Sequence, residues 1–450
     1  MIKYLSIVFL LIYLIPNVSL SENEPLRIKI TDGVIEPVPL AVPKFLSEII
    51  AVKEIAKNIS LLISEDLTKT GLFRIIPDEA HISNVTNFKA PVSYADWKAI
   101  NAQGLISGAV TIAKLKKQLC LDPRGCLIVK FKLFDVFAEN NIFDSGQKIY
   151  AAEPGEWRRL AHKIADDVYF NLTGEIGYFN TKIAFISESG VKNNRLKRLA
   201  IMDYDGANVE FLTDQSDLVL TPRFSPDGSK LVYTSFKLGV PHVFLMDIKT
   251  RGSFVLDERN QMSFSPQFSP NGNSVIMSVV SGANTDLYTL DLNSGTRRRL
   301  TSGPAIETSA SFSPNGSKIV YESDRSGTQQ LYILPIGAGE GRRISFGGGS
   351  YGTPVWSPNG DLIAFTKKSG RRFHIGVMRT DGSEEKLLTS SFLDEAPTWS
   401  PNGRVIMFFR DKSGSRGTSS IFSIDISGRN LRKIITPNSG SDPSWSPLLN

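Results

Sequence analysis

The sequence predicts an N-terminal α/β (α+β) domain followed by an all-β six-bladed β-propeller, and three observations carry that prediction. A short phrase returns at a fixed period: FSPDG from Phe224, FSPNG from Phe268 and Phe312, WSPNG from Trp356 and Trp399, and WSP from Trp445. The intervals of 44, 44, 44, 43 and 46 residues are those of propeller blades with four strands each. Before the repeats, apolar residues recur at helical spacing among short alternating runs, the mark of mixed secondary structure. The third observation is a pair of matching fragments. Ile183 to Ser187 reads as a blade's second strand with no Ser-Pro phrase before it, and Trp445-Ser446-Pro447 as a phrase with no second strand after it. Joined, they make one blade from both chain ends, which closes the ring.

A chain of 450 residues exceeds one small core. The boundaries read as a signal peptide over 1–21, an N-terminal domain over 22–173, a linker over 174–180 and the propeller over 181–450. Lys3 supplies a positive start, Tyr4 to Ile15 an apolar stretch too short to span a bilayer, and Ser19 and Ser21 the small residues of a cut before Glu22. These features favour an exported, soluble mature chain over an uncleaved anchor. The net charge of +6 raises the question of nucleic acid. Its basic residues are scattered, with no run longer than Arg297 to Arg299 and no interleaved aromatics, which excludes a nucleic-acid footprint.

In chain order, Ile28 to Ile30 starts a strand, and the prolines at 37, 39 and 43 keep the next stretch extended. Ile49, Val52, Ile55, Ile59, Leu62 and Leu67 predict a helix over Glu48 to Thr70, stopped by Gly71. A strand follows over Leu72 to Ile76. A second helix is expected over Tyr94 to Ala102, then a strand from Gly104 through Leu115, strands over Cys126 to Phe137 and Asn141 to Ala152, and a third helix over Trp157 to Leu172 closed by Gly174. The only cysteines, Cys120 and Cys126, flank a turn between β-rich runs, close enough for a disulfide. An oxidising compartment favours that bridge over two free thiols. With no other Cys or His nearby, a metal site there is not expected.

Within each repeat the Ser-Pro phrase turns the chain: Pro presets φ, Asp or Asn tolerates the next position, and Gly supplies a positive φ. A second strand follows, apolar on both faces because neighbouring blades cover it, then a third that often ends in Asp, and a basic fourth suited to an outer edge. Candidate chemistry is sparse. Gly348-Gly349-Ser350-Tyr351-Gly352 matches G-x-S-x-G, but the repeat register puts an inner strand after it, where a nucleophile elbow needs a helix. His81, His162, His242 and His374 are isolated in sequence, without partners at ligand spacing. Met202-Asp203-Tyr204-Asp205-Gly206 lacks the remaining ligands of a calcium loop and reads as a turn.

The Ser-Pro turns hardly vary from copy to copy, as structural turns should. At the opposite end the connections differ, over Asp217 to Thr221, Arg259 to Ser265, Pro304 to Ser309, Phe346 to Thr353, Ser391 to Ala396 and Asn438 to Asp442. Variable loops on a rigid ring are where recognition usually resides. A propeller hydrolase or a small-ligand binder acting at the channel mouth is the competing class. It needs a metal or a Ser/His/acid set.

These residues resemble the TolB family, the periplasmic component of the Tol-Pal system of Gram-negative bacteria. Leu199 to Gly206, Ser391 to Pro397 and Pro443 to Pro447 carry the resemblance, which covers the whole mature chain. It implies a monomeric, non-enzymatic scaffold without cofactor. Its partners would be the lipoprotein Pal on the propeller face and TolA on a flexible segment over 22–30 (Glu22, Asn23, Glu24, Pro25, Leu26, Arg27 and onward), with other envelope proteins or bacteriocins as further binders. The implied role is outer-membrane integrity and invagination at cell division. On the face, the resemblance points to Met262, Thr308, Ser309, Phe392, Leu393, Asp394 and Glu395. Some relatives carry an acid at the position of Ser309 and a His at that of Met262.

Overall fold

This computed structural model describes residues 26–27, 36–115, 120–191, 194–215, 217–259, 261–337, 339–414 and 417–449. The signal peptide, Glu22 to Pro25 and the strand expected at Ile28 to Ile30 lie outside them. The first domain is a mixed sheet of seven strands: β1 (Val38–Ala41), β2 (Leu46–Ser47), β3 (Phe73–Ile75), β4 (Gly104–Ala113), β5 (Cys126–Asp135), β6 (Asn140–Asn141) and β7 (Lys148–Ala152). Its main path runs β3-β1-β4-β5-β6, with β2 paired to β4 and β7 to β5. The helices α1 (Lys53–Lys69) and α3 (Trp157–Thr173) pack on each other against the sheet, and the short α2 (Tyr94–Ala99) lies apart from them.

Three expectations shift, each for a local reason. The first helix opens two residues later than its apolar spacing suggests, as a 3-10 turn over Ile50–Val52 that runs into α1, because Glu48 N–H still donates to Val110 O (2.9 Å) as an extension of the β2–β4 ladder. α2 stops at Ala99 since Asn101 takes φ 58°, a left-handed residue that ends a helix. The strand expected over Asn141 to Ala152 divides into β6 and β7 around a turn at Gly146, with φ 75°. Cys120 and Cys126 form a disulfide, with Cα atoms 5.4 Å apart.

The propeller has six four-stranded blades. Blade 1 consists of Ser439–Trp445 as inner strand, then Lys182–Ser189, Leu196–Asp203 and Glu210–Phe211. The inner strands of blades 2 to 6 are Val219–Phe224, Ser263–Phe268, Glu307–Phe312, Ser350–Trp356 and Leu393–Trp399. Each Ser-Pro serine staples its turn. Its Oγ accepts the N–H five residues on (Lys230 2.9 Å, Ser274 3.0 Å, Lys318 3.0 Å, Leu362 3.1 Å, Val405 2.9 Å). In blade 1 the same bond joins the two ends of the propeller chain, Lys182 N–H to Ser446 Oγ at 2.9 Å. The serine is therefore needed for its oxygen, which satisfies a backbone donor at a hairpin end.

The two domains share a core. Residues 174–180 are not a free tether, because Tyr178 and Phe179 are buried and meet Tyr169, Tyr204 and Trp445 with ring centroids 5.6–6.1 Å apart. One hydrophobic cluster runs from α1 and α3 through these rings to Ile183, Met407 and Ile421 of the propeller. Asn402 of the blade 6 Ser-Pro turn donates from Nδ2 to Ile176 O (3.0 Å), and Leu449 N–H to Asn180 O (3.0 Å). The uniform end of the ring, which sequence uniformity alone would leave without a contact, thus holds the first domain at blades 6 and 1.

Candidate functional site

At the opposite end of the ring every inner strand carries the same irregularity. Its pairing register shifts around one residue in left-handed conformation: Thr221 (φ 48°), Ser265 (50°), Ser309 (54°), Thr353 (46°), Ala396 (53°) and Asp442 (49°). In five blades the next residue is proline, which has no N–H to lose from the ladder, so a bulge there is cheap. Hydrogen bonds hold the bulges. Thr353 N–H donates to Glu322 Oε2 (2.8 Å), Ser265 N–H to Thr234 Oγ1 (3.2 Å), and the Thr353 and Thr366 hydroxyls meet at 2.7 Å. The variable connections are accordingly shorter than their sequence suggests, because their last residues already belong to strands.

Three residues before each bulge stands the position that faces out at this end. Leu218, Met262 and Ile306 occupy it in blades 2 to 4 with 40, 39 and 47 % exposure, and Leu393 is half-buried in blade 6 beside the exposed Phe392. One residue further along, the chain turns inward. Asp394 is fully buried and holds the Arg410 guanidinium at 2.6 and 2.8 Å, while Ser391 Oγ donates to it at 2.6 Å. Glu307 pairs with Arg325 through Oε1 alone, its Oε2 being buried without a hydrogen-bond partner among the described residues. Thr308 is buried and donates to Glu322, and Ser309 Oγ reaches the same carboxylate at 3.3 Å.

Of the residues expected on this face, Met262, Phe392 and Leu393 present surface, whereas Asp394 and Thr308 fix the side chains behind it. Glu395 lies half-buried on the inner strand. Burial, with Asp442, Asp411 and Glu322 adding repulsion from other strands and blades, pushes its carboxyl up to about 7. Burial likewise raises Asp442 and lowers Arg223. Ser350 opens an inner strand with no helix after it, so the G-x-S-x-G match forms no nucleophile elbow.

A second cluster joins the domains, and sequence spacing gave no sign of it. Asp66 on α1, fully buried, accepts from His162 Nδ1 on α3 (2.6 Å) and from the Tyr204 hydroxyl of the propeller (2.6 Å). Arg158 spans Asp203 (3.1 Å) and Asp205 (2.6 Å), and Lys182 adds 2.6 Å to Asp203. His162, Asp203 and Asp205 offer ligand atoms within 4.8 Å of one another. Arg158 and Lys182 already neutralise those acids, so the chemistry is that of a charge network between domains. Burial pulls the His162 imidazole down, but Asp66, with Asp205 and Asp203 behind it, outweighs burial and holds it above its ordinary value.

The other histidines make local contacts only: His242 Nδ1 with Val240 O (3.0 Å), His374 Nδ1 with Thr389 O (2.8 Å), and His81 beside Asp78 and Trp97. Of the expected N-terminal binding segment, Leu26 donates its N–H to Asp135 (3.0 Å) and packs on the first domain's core, and Arg27 is exposed. Among the described residues no helix is long and apolar enough to cross a membrane.

Two family models match the chain, one described as the TolB beta propeller domain over residues 169–449 and one as the TolB amino-terminal domain over residues 26–142. A relative from Dinoroseobacter shibae named Tol-Pal system protein TolB is 58% identical over 427 residues, 94% of this chain and 93% of that protein. One of the same name from Cereibacter sphaeroides is 56% identical over 432 residues, 95% of this chain and 94% of that protein. The crystal structure of TolB from Acinetobacter baumannii superposes with a TM-score of 0.77 at 23% identity, covering 92% of this chain and 97% of that one. At that identity the likeness concerns the fold alone.

Proposed function

The chain belongs to the TolB family of Tol-Pal system proteins, and from that membership we propose that it is a periplasmic scaffold and not an enzyme. In this reading the irregular end of the propeller binds the lipoprotein Pal. The segment over 22–30 binds TolA, and the pair of contacts supports outer-membrane integrity and invagination at division. The observation that carries the reading is the apolar crown of Leu218, Met262 and Ile306, exposed at one repeat position of successive blades. Apolar side chains kept in water around a rigid mouth mark a protein-binding surface. The Asp394–Arg410 and Glu307–Arg325 pairs, whose acids are buried, brace that surface from behind.

Calorimetric titration of the mature chain with Pal and with the periplasmic part of TolA tests the reading. Met262→Asp combined with Ile306→Asp removes two apolar anchors worth about 1.5 kcal/mol each. It is expected to weaken Pal binding at least about tenfold and to leave TolA binding intact. Deleting residues 22–30 is expected to abolish TolA binding and spare Pal. Undiminished Pal affinity in the double variant refutes the assigned face, and retained TolA binding in the deletion refutes the assigned segment.

A further inference from the structure

The seam between the two domains encloses a cavity of about 550 Å³, within the size range of small-molecule sites. Its walls come from the C-terminal end of α1, from Tyr178, and from blades 6 and 1 of the propeller. Tyr178, Met407 and Trp445, all buried, give it an apolar and aromatic side.

Its charged side is not balanced. Asp205 and Asp425 line the cavity, but each already carries an arginine, Arg158 at 2.6 Å and Arg404 at 2.6 Å. Glu65 pairs with Lys69 (3.6 Å). Arg432, also in the lining, has no carboxylate partner among the described residues. Its Nη2 reaches only the Thr68 carbonyl (3.3 Å) and Asn430 Oδ1 (3.5 Å), both long, and its Nε is buried without any acceptor. A buried guanidinium donor without an acceptor is unfavourable, and native structures seldom leave one without a reason.

We propose that this seam is a binding site for a small organic carboxylate carrying an aromatic or branched apolar body. The carboxylate meets Arg432 and the body lies along Tyr178, Met407 and Trp445. A single negative charge fits better than a phosphate dianion, because Arg432, the lining arginine left without a carboxylate among the described residues, matches one charge. The ligand touches α1 on one side and blade 6 on the other, so its binding stabilises the docked arrangement of the two domains.

Titration of the mature chain by protein-observed NMR, with 1-naphthaleneacetate, 3-phenylpropionate and 4-methylpentanoate as probes, tests the proposal. The neutral 1-naphthaleneethanol serves as control. At least one carboxylate is expected to saturate one site per chain, with the alcohol about tenfold weaker or worse, as loss of a charge-assisted hydrogen bond implies. Arg432→Gln is expected to bring the acid down to the alcohol's affinity. Ser423→Phe, which fills the cavity from its lining, is expected to abolish both. Should Arg432→Gln not fold, Arg432→Lys keeps the charge while removing Nε and is expected to weaken the acid several-fold. No saturable binding of any carboxylate at millimolar concentration overturns the site. Equal binding of acid and alcohol overturns the anion assignment, and binding indifferent to both Arg432→Gln and Ser423→Phe overturns the location.

Discussion

Replacing Asp66 by alanine tests whether the docking of the domains rests on the buried cluster. Asp66 is fully buried and receives two donors, His162 Nδ1 and the Tyr204 hydroxyl, each at 2.6 Å. The substitution strips both at once, leaving a buried imidazole and phenol with nothing to donate to. Breaking a buried ion pair by removing one member costs about 3–5 kcal/mol, and the orphaned phenol falls within that range. The cost depends on pH. Burial lowers the His162 imidazole, but Asp66, with Asp205 and Asp203, outweighs burial and holds it above its ordinary value in the folded chain. A raised folded value means its contribution is complete below the unfolded value of about 6.5 and is lost as pH rises through the folded one. Urea unfolding followed by tryptophan fluorescence between pH 5 and pH 9 therefore shows Asp66→Ala least stable relative to wild type at the acid end, with the gap narrowing to about 1–3 kcal/mol at the alkaline end. Tyr204→Phe, which removes only the phenol's bond, costs about 1–2 kcal/mol at every pH. A gap that stays constant with pH, or one under about 1 kcal/mol, refutes the reasoning.

In the propeller, Glu395 sits at about 7 by burial and by repulsion from Asp442, Asp411 and Glu322, against an ordinary value of about 4.3. Its stabilising effect as an acid is thus present below that ordinary value and lost as pH rises through about 7. Glu395→Gln is expected to raise the melting temperature at pH 8, by on the order of 2 kcal/mol of stability, and to give no gain at pH 4; an equal gain at both contradicts the channel electrostatics. Ser446→Ala removes the acceptor of Lys182 N–H across the ring closure and costs about 1–2 kcal/mol. Hydrogen exchange is expected to quicken at Ile183 to Ser187 in this variant and not in Ser313→Ala, where the same staple lies within blade 4; equal protection in both says that the closure is no weaker than any other blade.

The repeating phrase made the ring legible because each of its residues answers a local demand. Pro and Gly answer backbone angles, and the serine answers an unpaired N–H at a hairpin end. The completion of blade 1 by the C-terminal strand was legible for the same reason, as a staple with its two halves at opposite ends of the propeller. The bulges were not. Thr221-Pro222 and Asp442-Pro443 look like loop chemistry, because proline is usually excluded from strands, and only the paired backbone shows a strand continuing past them. On the face, Asp394 and Thr308 read as exposed polar residues, yet both are buried, Asp394 against Arg410 and Thr308 against Glu322. The seam was invisible for a different reason. Asp66, His162 and Tyr204 stand far apart in the chain, and each alone looks like an ordinary helix or turn residue.

These positions divide the labour of the ring between its two ends, and blade 6 spans both. Its second strand, Val405–Asp411, begins at the cavity with Val405 and Met407 and ends at the opposite face, where Arg410 grips Asp394. At about 3.3 Å per residue that is a rigid connection of roughly 20 Å, buried along much of its length. Contiguity alone does not make coupling, since a strand locked in one position transmits nothing. What gives the connection physical content is the chemistry at its ends: Arg432, whose Nε lacks an acceptor among the described residues, shares the cavity lining with Val405 and Met407, and Glu395, raised by burial, pairs with Phe409 of the strand at the mouth. If a partner seats on the crown and a ligand in the seam, both contact elements that this strand joins, and by linkage any effect of one on the affinity of the other is returned in equal measure.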